Sequence, residues 1–331
     1  MTVRVGINGF GRIGRTYLRA ALHSRADVKV VAVNDITDGA TLASLLEWDS
    51  LSGHLDGVQI DDGAILVDGA RIRITAEREP AGIAWGEEGV DVVIESTGRF
   101  TDSVSAYQHL TAGARKVIIS APADCEVPAL VLGVNDDVID MSKDVFSNGS
   151  CTTNCLAPMA KVLHEAFGIE SGLMTTIHAY TSDQRLHDAP HSDLRRARAA
   201  ALSTIPTSSG AASTIGRIIP ELDGKLTAVS LRVPVPVGSI IDLTAKLSRP
   251  ATVNEVNGAF RTAAETSALS RYLAYSEAPL VSADIVGNPH SAIFDAPLTQ
   301  VVGDQVKVFA WYDNEWGFSN RLVELSQRIG S

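Results

Sequence analysis

The chain of 331 residues is 45% hydrophobic and 20% charged, so it can bury a sizeable core and has the length of two domains. Its formal net charge of -11 opposes nonspecific binding to nucleic acid and favours small molecules as partners. No apolar run approaches the roughly 18 residues of a membrane span, the N-terminus enters a strand pattern without a charged lead or apolar signal core, Cys125, Cys151 and Cys155 are too few and odd in number for a disulfide framework, and no Cys-x-x-Cys pair suggests structural zinc; a reduced, cytoplasmic location without metal is expected.

Residues 3–7 form an apolar run, followed by Asn8-Gly9-Phe10-Gly11-Arg12-Ile13-Gly14 and then by Ile13, Tyr17, Leu18, Ala21 and Leu22 at helical spacing. That order is strand, tight turn, helix. A second buried-strand run over 28–33, ending on Asn34-Asp35, completes a right-handed βαβ unit. Runs over 90–95, 117–120 and 130–134 continue a parallel, doubly wound Rossmann-type sheet, and residues 65–72 read as an Asp-Gly hairpin inserted into it.

After Cys155 the pattern changes to long strand-like stretches over 173–179, 228–235, 240–247 and 306–312, which predict a mostly antiparallel second sheet. Helical patterns over 152–167, 208–219 and 253–268 are placed to cover one of its faces. The expected α/β architecture is a dinucleotide-binding domain over 1–150 and an α+β catalytic domain over 151–315, with a C-terminal helix over 316–331 returning to the first.

The glycine hexamer gains its meaning from context: it follows a strand, opens a helix, and has Asp35 beyond it at the end of the next strand. Gly9 allows the turn, Gly11 admits a pyrophosphate to the backbone, and Gly14 lets helix and strand pack closely. The helix beginning near Arg12 offers its positive end to the phosphates. Asp35 accepts from the adenosine ribose and repels a 2′-phosphate, so NAD is favoured over NADP.

Cys151 follows Asn148-Gly149-Ser150 and precedes Leu156, Met159, Ala160 and Leu163 at helical spacing. A thiol in a helix's first turn faces backbone donors and the positive dipole end, which favour thiolate. Cys155, one turn on, is expected to be a packed core thiol. Among eight histidines, His178 ends an apolar strand, where side chains are delivered to the rim of a sheet; His187 and His191 flank a proline loop without further metal ligands at a recognised spacing.

Five segments, in order and spanning essentially the whole chain, resemble glyceraldehyde-3-phosphate dehydrogenase: Asn8-Gly9-Phe10-Gly11-Arg12-Ile13-Gly14-Arg15, Ser150-Cys151-Thr152-Thr153-Asn154-Cys155, His178-Ala179-Tyr180-Thr181, Asp193-Leu194-Arg195-Arg196-Ala197-Arg198 and Trp311-Tyr312-Asp313-Asn314-Glu315-Trp316-Gly317. The resemblance implies that Cys151 is the nucleophile and His178 the general base, and that the substrates are glyceraldehyde 3-phosphate, NAD and inorganic phosphate in glycolysis. It assigns NAD contacts to Asn8, Gly9, Phe10, Gly11, Arg12, Ile13, Gly14, Asp35, Arg78, Thr97, Gly98, Ser120 and Asn314. Thr181, Asp183 and Arg232 take the substrate phosphoryl group, and Ser150, Thr152, Ser209 and Gly210 the attacking phosphate. The segment over 181–201 resembles an arm that approaches a neighbouring subunit, implying a homotetramer.

Several residues depart from the family's usual pattern. Gly149 stands where Ala is usual, Ser209 where Thr is, Ser213 where Lys is, and Phe318 where Tyr is commoner. Gly149 is expected to loosen the loop before Cys151, and Ala189-Pro190 is a mixed signal for NAD against NADP. Gly149, Ser209 and Ser213 motivate an alternative reading as an inhibitor-resistant isoform. His290-Ser291-Ala292-Ile293 and Trp316-Gly317-Phe318 also resemble erythrose-4-phosphate dehydrogenase, the second alternative, whereas Thr181, Asp183 and Arg185 follow the glyceraldehyde-3-phosphate pattern.

Overall fold

The structure, a computed structural model, describes residues 2–138 and 140–331; Met1 and Ile139, both within the first predicted domain, lie outside the described residues. The chain divides into two units, one of Met1–Leu130, Ile139–Gly149 and Ser319–Ser331, the other of Val131–Val138 and Ser150–Phe318.

The first unit is built on an eight-stranded sheet. Its order is Val145–Ser147, Lys116–Ile119, Val92–Glu95, Val3–Asn8, Val28–Asn34, Ala70–Thr75, Ala64–Val67, Val58–Asp61. The first six strands in that order run parallel. Val5, Ile7, Val30 to Val33, Val92 to Ile94 and Val117 to Ile119 are buried, as parallel strands covered on both faces require. Because Val3–Asn8 lies between Val92–Glu95 and Val28–Asn34, the order reverses at its C-terminal end, where open α/β sheets bind their ligands.

The hairpin extends the sheet. Asp68 (φ 49°) and Gly69 (φ 77°) both take the left-handed conformation of a two-residue hairpin turn, and Ala70–Thr75 pairs with Val28–Asn34. The strand expected over 130–134 does not form. Those residues are buried, but Gly133 has φ 83° and the Asn135 side chain accepts from the Val131 N–H at 2.8 Å, folding the run into turns. Its apolarity reflects burial, and Val145–Ser147 takes the edge position instead.

The second unit carries a mixed, mostly antiparallel sheet in the order Ile205–Ser208, Leu226–Val233, Ile169–Ala179, Ser239–Leu247, Gln305–Tyr312, Ala292–Asp295, Leu273–Ser276. Strand alternation puts Met174, Thr176 and His178, then Ile241, Leu243 and Ala245, then Val306, Val308, Ala310 and Tyr312 on the buried side. The helix Cys151–Phe167 packs against these strands, and each fully buried aliphatic side chain there stabilises the fold by about 1.5–3 kcal/mol. The helix expected from residue 208 begins at Ala211, because Ser208 still belongs to a strand and Gly210 is the N-cap.

Candidate active site

In the first unit the glycine turn is shaped by contact. Gly9 has φ 88°, and a Cβ there would lie 2.7 Å from the Thr97 backbone nitrogen; one on Gly14 would lie 2.4 Å from the Gly9 carbonyl oxygen. Over Gly11, by contrast, a Cβ meets nothing within 4 Å among the described residues. Gly11 is the N-cap of the helix Arg12–His23 and brings no side-chain acceptor to it. A tight turn, an open approach and a positive helix end fit a pyrophosphate, and with Asp35 they fit NAD.

Asp35 is fixed by two backbone donors: Phe10 N–H to Oδ2 at 2.8 Å and Thr37 N–H to Oδ1 at 2.9 Å. Each carboxylate oxygen keeps a further lone pair for ribose hydroxyls. The Phe10 ring is buried in the core, and Arg12 pairs with Asp49, so both anchor the turn. Arg78 is exposed just beyond Ala70–Thr75. Thr97 and Gly98 (φ 70°) follow Val92–Glu95, and Ser120, following Lys116–Ile119, donates its N–H to the Glu95 carbonyl at 2.9 Å.

Asn8 is placed beneath the turn, and its neighbour there, Glu95, was not singled out in the sequence. The buried Glu95 carboxylate accepts Asn8 Nδ2 at 2.6 Å, the Thr97 N–H at 2.8 Å, the Thr97 hydroxyl, and His109 Nε2 at 3.0 Å. Trp85 Nε1 donates to His109 Nδ1 at 3.0 Å, which leaves the proton on Nε2, directed at Glu95. Asn34 Nδ2 donates to Asn8 Oδ1 at 2.8 Å, tying three strand ends together. The signal was present: like Asp35, Glu95 is an acidic residue closing an apolar strand.

In the second unit Cys151 opens the helix Cys151–Phe167, whose N-cap Ser150 accepts the Thr153 N–H at 3.0 Å. The Ser150 hydroxyl therefore caps the helix, and the Thr152 hydroxyl meets that of Tyr312 at 3.0 Å. Both hydroxyls predicted for phosphate are engaged by the fold. Cys151 Sγ lies 3.4 Å from His178 Nε2. Cys155 is fully buried, which pushes its thiol well up.

The helix-start donors that favour thiolate at Cys151 are opposed by burial of the sulfur. Burial pushes the thiol up and outweighs the Arg232 charge and the Thr152 hydrogen bonds that pull it back. His178, 3% exposed, is lowered to about 3 by burial and then by the Arg232 charge. Both shifts favour the uncharged forms, so passing the thiol proton to the imidazole is the step that makes the sulfur nucleophilic.

Arg232 stands beside His178 in the parallel pairing of their strands, and its Nη1 reaches Thr181 Oγ1 at 3.2 Å. Thr181 donates to Asp183, which also pairs with Arg196. Among the described residues, Arg232 Nε is buried without a hydrogen-bond partner, which suits the guanidinium to an oxyanion. Ser209 and Gly210 lie at the start of the helix Ala211–Ile218, where the Ser209 hydroxyl accepts the Ala211 N–H at 3.4 Å. Asn314 is buried with Oδ1 turned to the Gly238 N–H and the Ser239 hydroxyl, both at 3.2 Å, leaving its Nδ2 as a donor suited to a carboxamide oxygen. Among the described residues no group of three or more His, Cys, Asp and Glu is placed to hold a metal ion, and no helix is long and apolar enough to cross a membrane.

A dinucleotide fold joined in one chain to a cysteine with an adjacent imidazole defines the class: a dehydrogenase that oxidises an aldehyde through a thiol. Residues 3–103 match the NAD binding domain of glyceraldehyde 3-phosphate dehydrogenase, and residues 150–314 its C-terminal domain. Glyceraldehyde-3-phosphate dehydrogenase of Mycobacterium tuberculosis (strain ATCC 25618 / H37Rv) is 60% identical over 338 residues, covering 100% of this chain and 99% of the relative. Its counterpart in Mycobacterium leprae (strain TN) is 58% identical over 337 residues, and glyceraldehyde-3-phosphate dehydrogenase 1 of Streptomyces avermitilis 58% over 332, each with the same coverage. The chain belongs to the glyceraldehyde-3-phosphate dehydrogenase family, and it is an NAD-dependent enzyme of that family.

Proposed function

We propose that this chain oxidises D-glyceraldehyde 3-phosphate, with NAD and inorganic phosphate, to 1,3-bisphosphoglycerate in glycolysis, using Cys151 as nucleophile and His178 as general base. The observation that carries the reading is the 3.4 Å approach of Cys151 Sγ to His178 Nε2. Nε2 takes the thiol proton as sulfur adds to the aldehyde carbon, and returns a proton to the carbonyl oxygen to give a hemithioacetal. NAD, when bound, would supply the hydride acceptor; Gly9, Gly11, Gly14 and Asp35 would hold it, and the Asn314 amide would donate to its carboxamide. As the hemithioacetal is oxidised, Nε2 removes its hydroxyl proton, leaving a thioester on Cys151. Phosphate attacks the thioester, and the acyl phosphate leaves as sulfur is released.

Thr181, Asp183 and Arg232 form the phosphoryl site of this reading; Ser209, Gly210 and the first-turn backbone donors of Ser150 and Thr152 serve the attacking phosphate. Neither alternative, erythrose 4-phosphate oxidation or an inhibitor-resistant isoform, is favoured by the relatives above, which carry the glyceraldehyde-3-phosphate name. The decisive assay is phosphate-dependent NADH formation from glyceraldehyde 3-phosphate by the wild type and by Cys151→Ala. Loss of turnover in the variant is expected; full activity there would refute the mechanism. A higher kcat/KM on erythrose 4-phosphate would overturn the substrate.

A cytoplasmic homotetramer is part of this proposal. Leu173 and Val229 stand exposed on the sheet face away from the helix Cys151–Phe167, and Leu186, Leu194 and Leu202 are exposed along the segment over 181–202. Apolar surface of this kind supports association between copies. Light scattering on the purified chain checks it, a monomer being the contrary result.

A further inference from the structure

His178 Nδ1 faces two neighbours with opposite demands. The Ala179 carbonyl oxygen, 2.6 Å away, only accepts and needs a proton on Nδ1. Arg232 Nη1, 2.9 Å away, only donates and needs a lone pair there. A neutral imidazole satisfies one of them at a time. The same Nη1 lies 3.2 Å from both the Ala179 oxygen and Thr181 Oγ1, so it has other acceptors when it leaves Nδ1.

We propose that anion occupancy at Arg232 sets the tautomer of His178, and thereby whether Nε2 is able to deprotonate Cys151. Without an anion, Nη1 donates to Nδ1, the ring proton sits on Nε2, and the thiol faces a donor. When a phosphoryl or phosphate oxyanion engages the guanidinium, Nδ1 carries the proton and donates to Ala179. The lone pair then lies on Nε2, 3.4 Å from Cys151 Sγ. The change is a proton exchanged between ring nitrogens through solvent, with no net gain or loss. Arg232 is thus a positioning residue that acts through His178, in addition to its anion contact.

The other groups around His178 do not provide this control. Asp183 is committed to Thr181 and Arg196, and Tyr312 presents its ring edge-on while its hydroxyl is bound to Thr152 and Thr176. The proposal rests on the Cys151–His178 reading and deepens it: an aldehyde lacking a phosphoryl group leaves the base in the wrong tautomer, and a separate anion restores it.

Inorganic sulfate is the probe, since it mimics the oxyanion without attacking a thioester. Full-length wild type is alkylated with the neutral reagent iodoacetamide near neutral pH, with chloride holding ionic strength constant, and the Cys151 and Cys125 peptides are followed by mass spectrometry. Cys151 alkylation is expected to rise about tenfold with sulfate, the ratio separating a charged-donor hydrogen bond from a neutral one, while Cys125 stays constant. Simple electrostatics gives the opposite sign, because an anion near a thiol disfavours thiolate.

Arg232→Met is expected to react without sulfate dependence at the rate of sulfate-saturated wild type, although it has lost a cation. A flat or falling sulfate response in the wild type overturns the proposal, as does an Arg232→Met variant as slow as anion-free wild type. If Arg232→Met fails to fold, the wild-type titration decides alone. Failure of the underlying mechanism is distinguishable: Cys151→Ala would then turn over glyceraldehyde 3-phosphate, whereas failure of the tautomer control leaves that variant inactive.

Discussion

The Tyr312 hydroxyl lies 3.0 Å from that of Thr152 and so ties the strand Gln305–Tyr312 to the first turn of the helix that carries Cys151. The same hydroxyl meets Thr176 at 2.8 Å, and the ring stands edge-on to His178 with centroids 5.9 Å apart. Tyr312→Phe keeps the ring and leaves two threonine hydroxyls buried without this partner. A loss of about 1–3 kcal/mol is expected in urea unfolding, the cost of an unmade buried hydrogen bond, with kcat reduced far less than in Cys151→Ala. Unchanged stability would show that the threonines find other partners.

Gly149 is buried with φ 64°. This left-handed backbone is costly for a residue with a Cβ and free for glycine, so Gly149 relieves strain, contrary to the loosening expected from sequence. Gly149→Ala should therefore destabilise the protein by about 1–2 kcal/mol. If the glycine merely added unfolded-state freedom, alanine would stabilise by about 0.4–1 kcal/mol. The sign of the shift in the urea midpoint separates the two.

Local features were legible in the sequence because their causes are local. The three glycines and Asp35 marked the dinucleotide turn through their place between a strand and a helix, and the helix start at Cys151 was legible from the apolar spacing that follows it. What decides the chemistry is set by pairing between distant segments. His178 meets Arg232 because their strands lie side by side in parallel, and no periodicity announces that neighbour. Thr152 illustrates the same limit: its hydroxyl suits an oxyanion, but a tyrosine 160 positions along the chain claims it. Residues 130–134 misled for another reason, since a short apolar run reports burial whether or not it is a strand.

Asp35 has two duties with one carboxylate, because it fastens the glycine turn through Phe10 N–H and faces the ribose of NAD in the proposed complex. Asp35→Gly removes both. NAD kcat/KM should fall about tenfold to a hundredfold, the worth of a hydrogen bond to a charged group, and the NADP-to-NAD ratio of kcat/KM should rise as repulsion of the 2′-phosphate is lost. Steady-state kinetics with both cofactors at fixed ionic strength checks it. An unaltered ratio would remove Asp35 as the discriminating residue.

His178 couples stability to pH. Burial, then the Arg232 charge, lowers it from its ordinary 6.5 to about 3, so between these values the unfolded chain binds a proton that the native state refuses. Stability from this group is fully present above pH 6.5 and declines as pH falls toward 3. The slope approaches about 1.4 kcal/mol per pH unit. His178→Asn has no such proton to refuse, so the stability of the wild type relative to the variant should drop by about 1 kcal/mol over the first pH unit below the ordinary histidine value. Urea unfolding of both proteins across that interval measures it, and a pH-independent difference would mean that the imidazole takes up its proton without leaving the folded state.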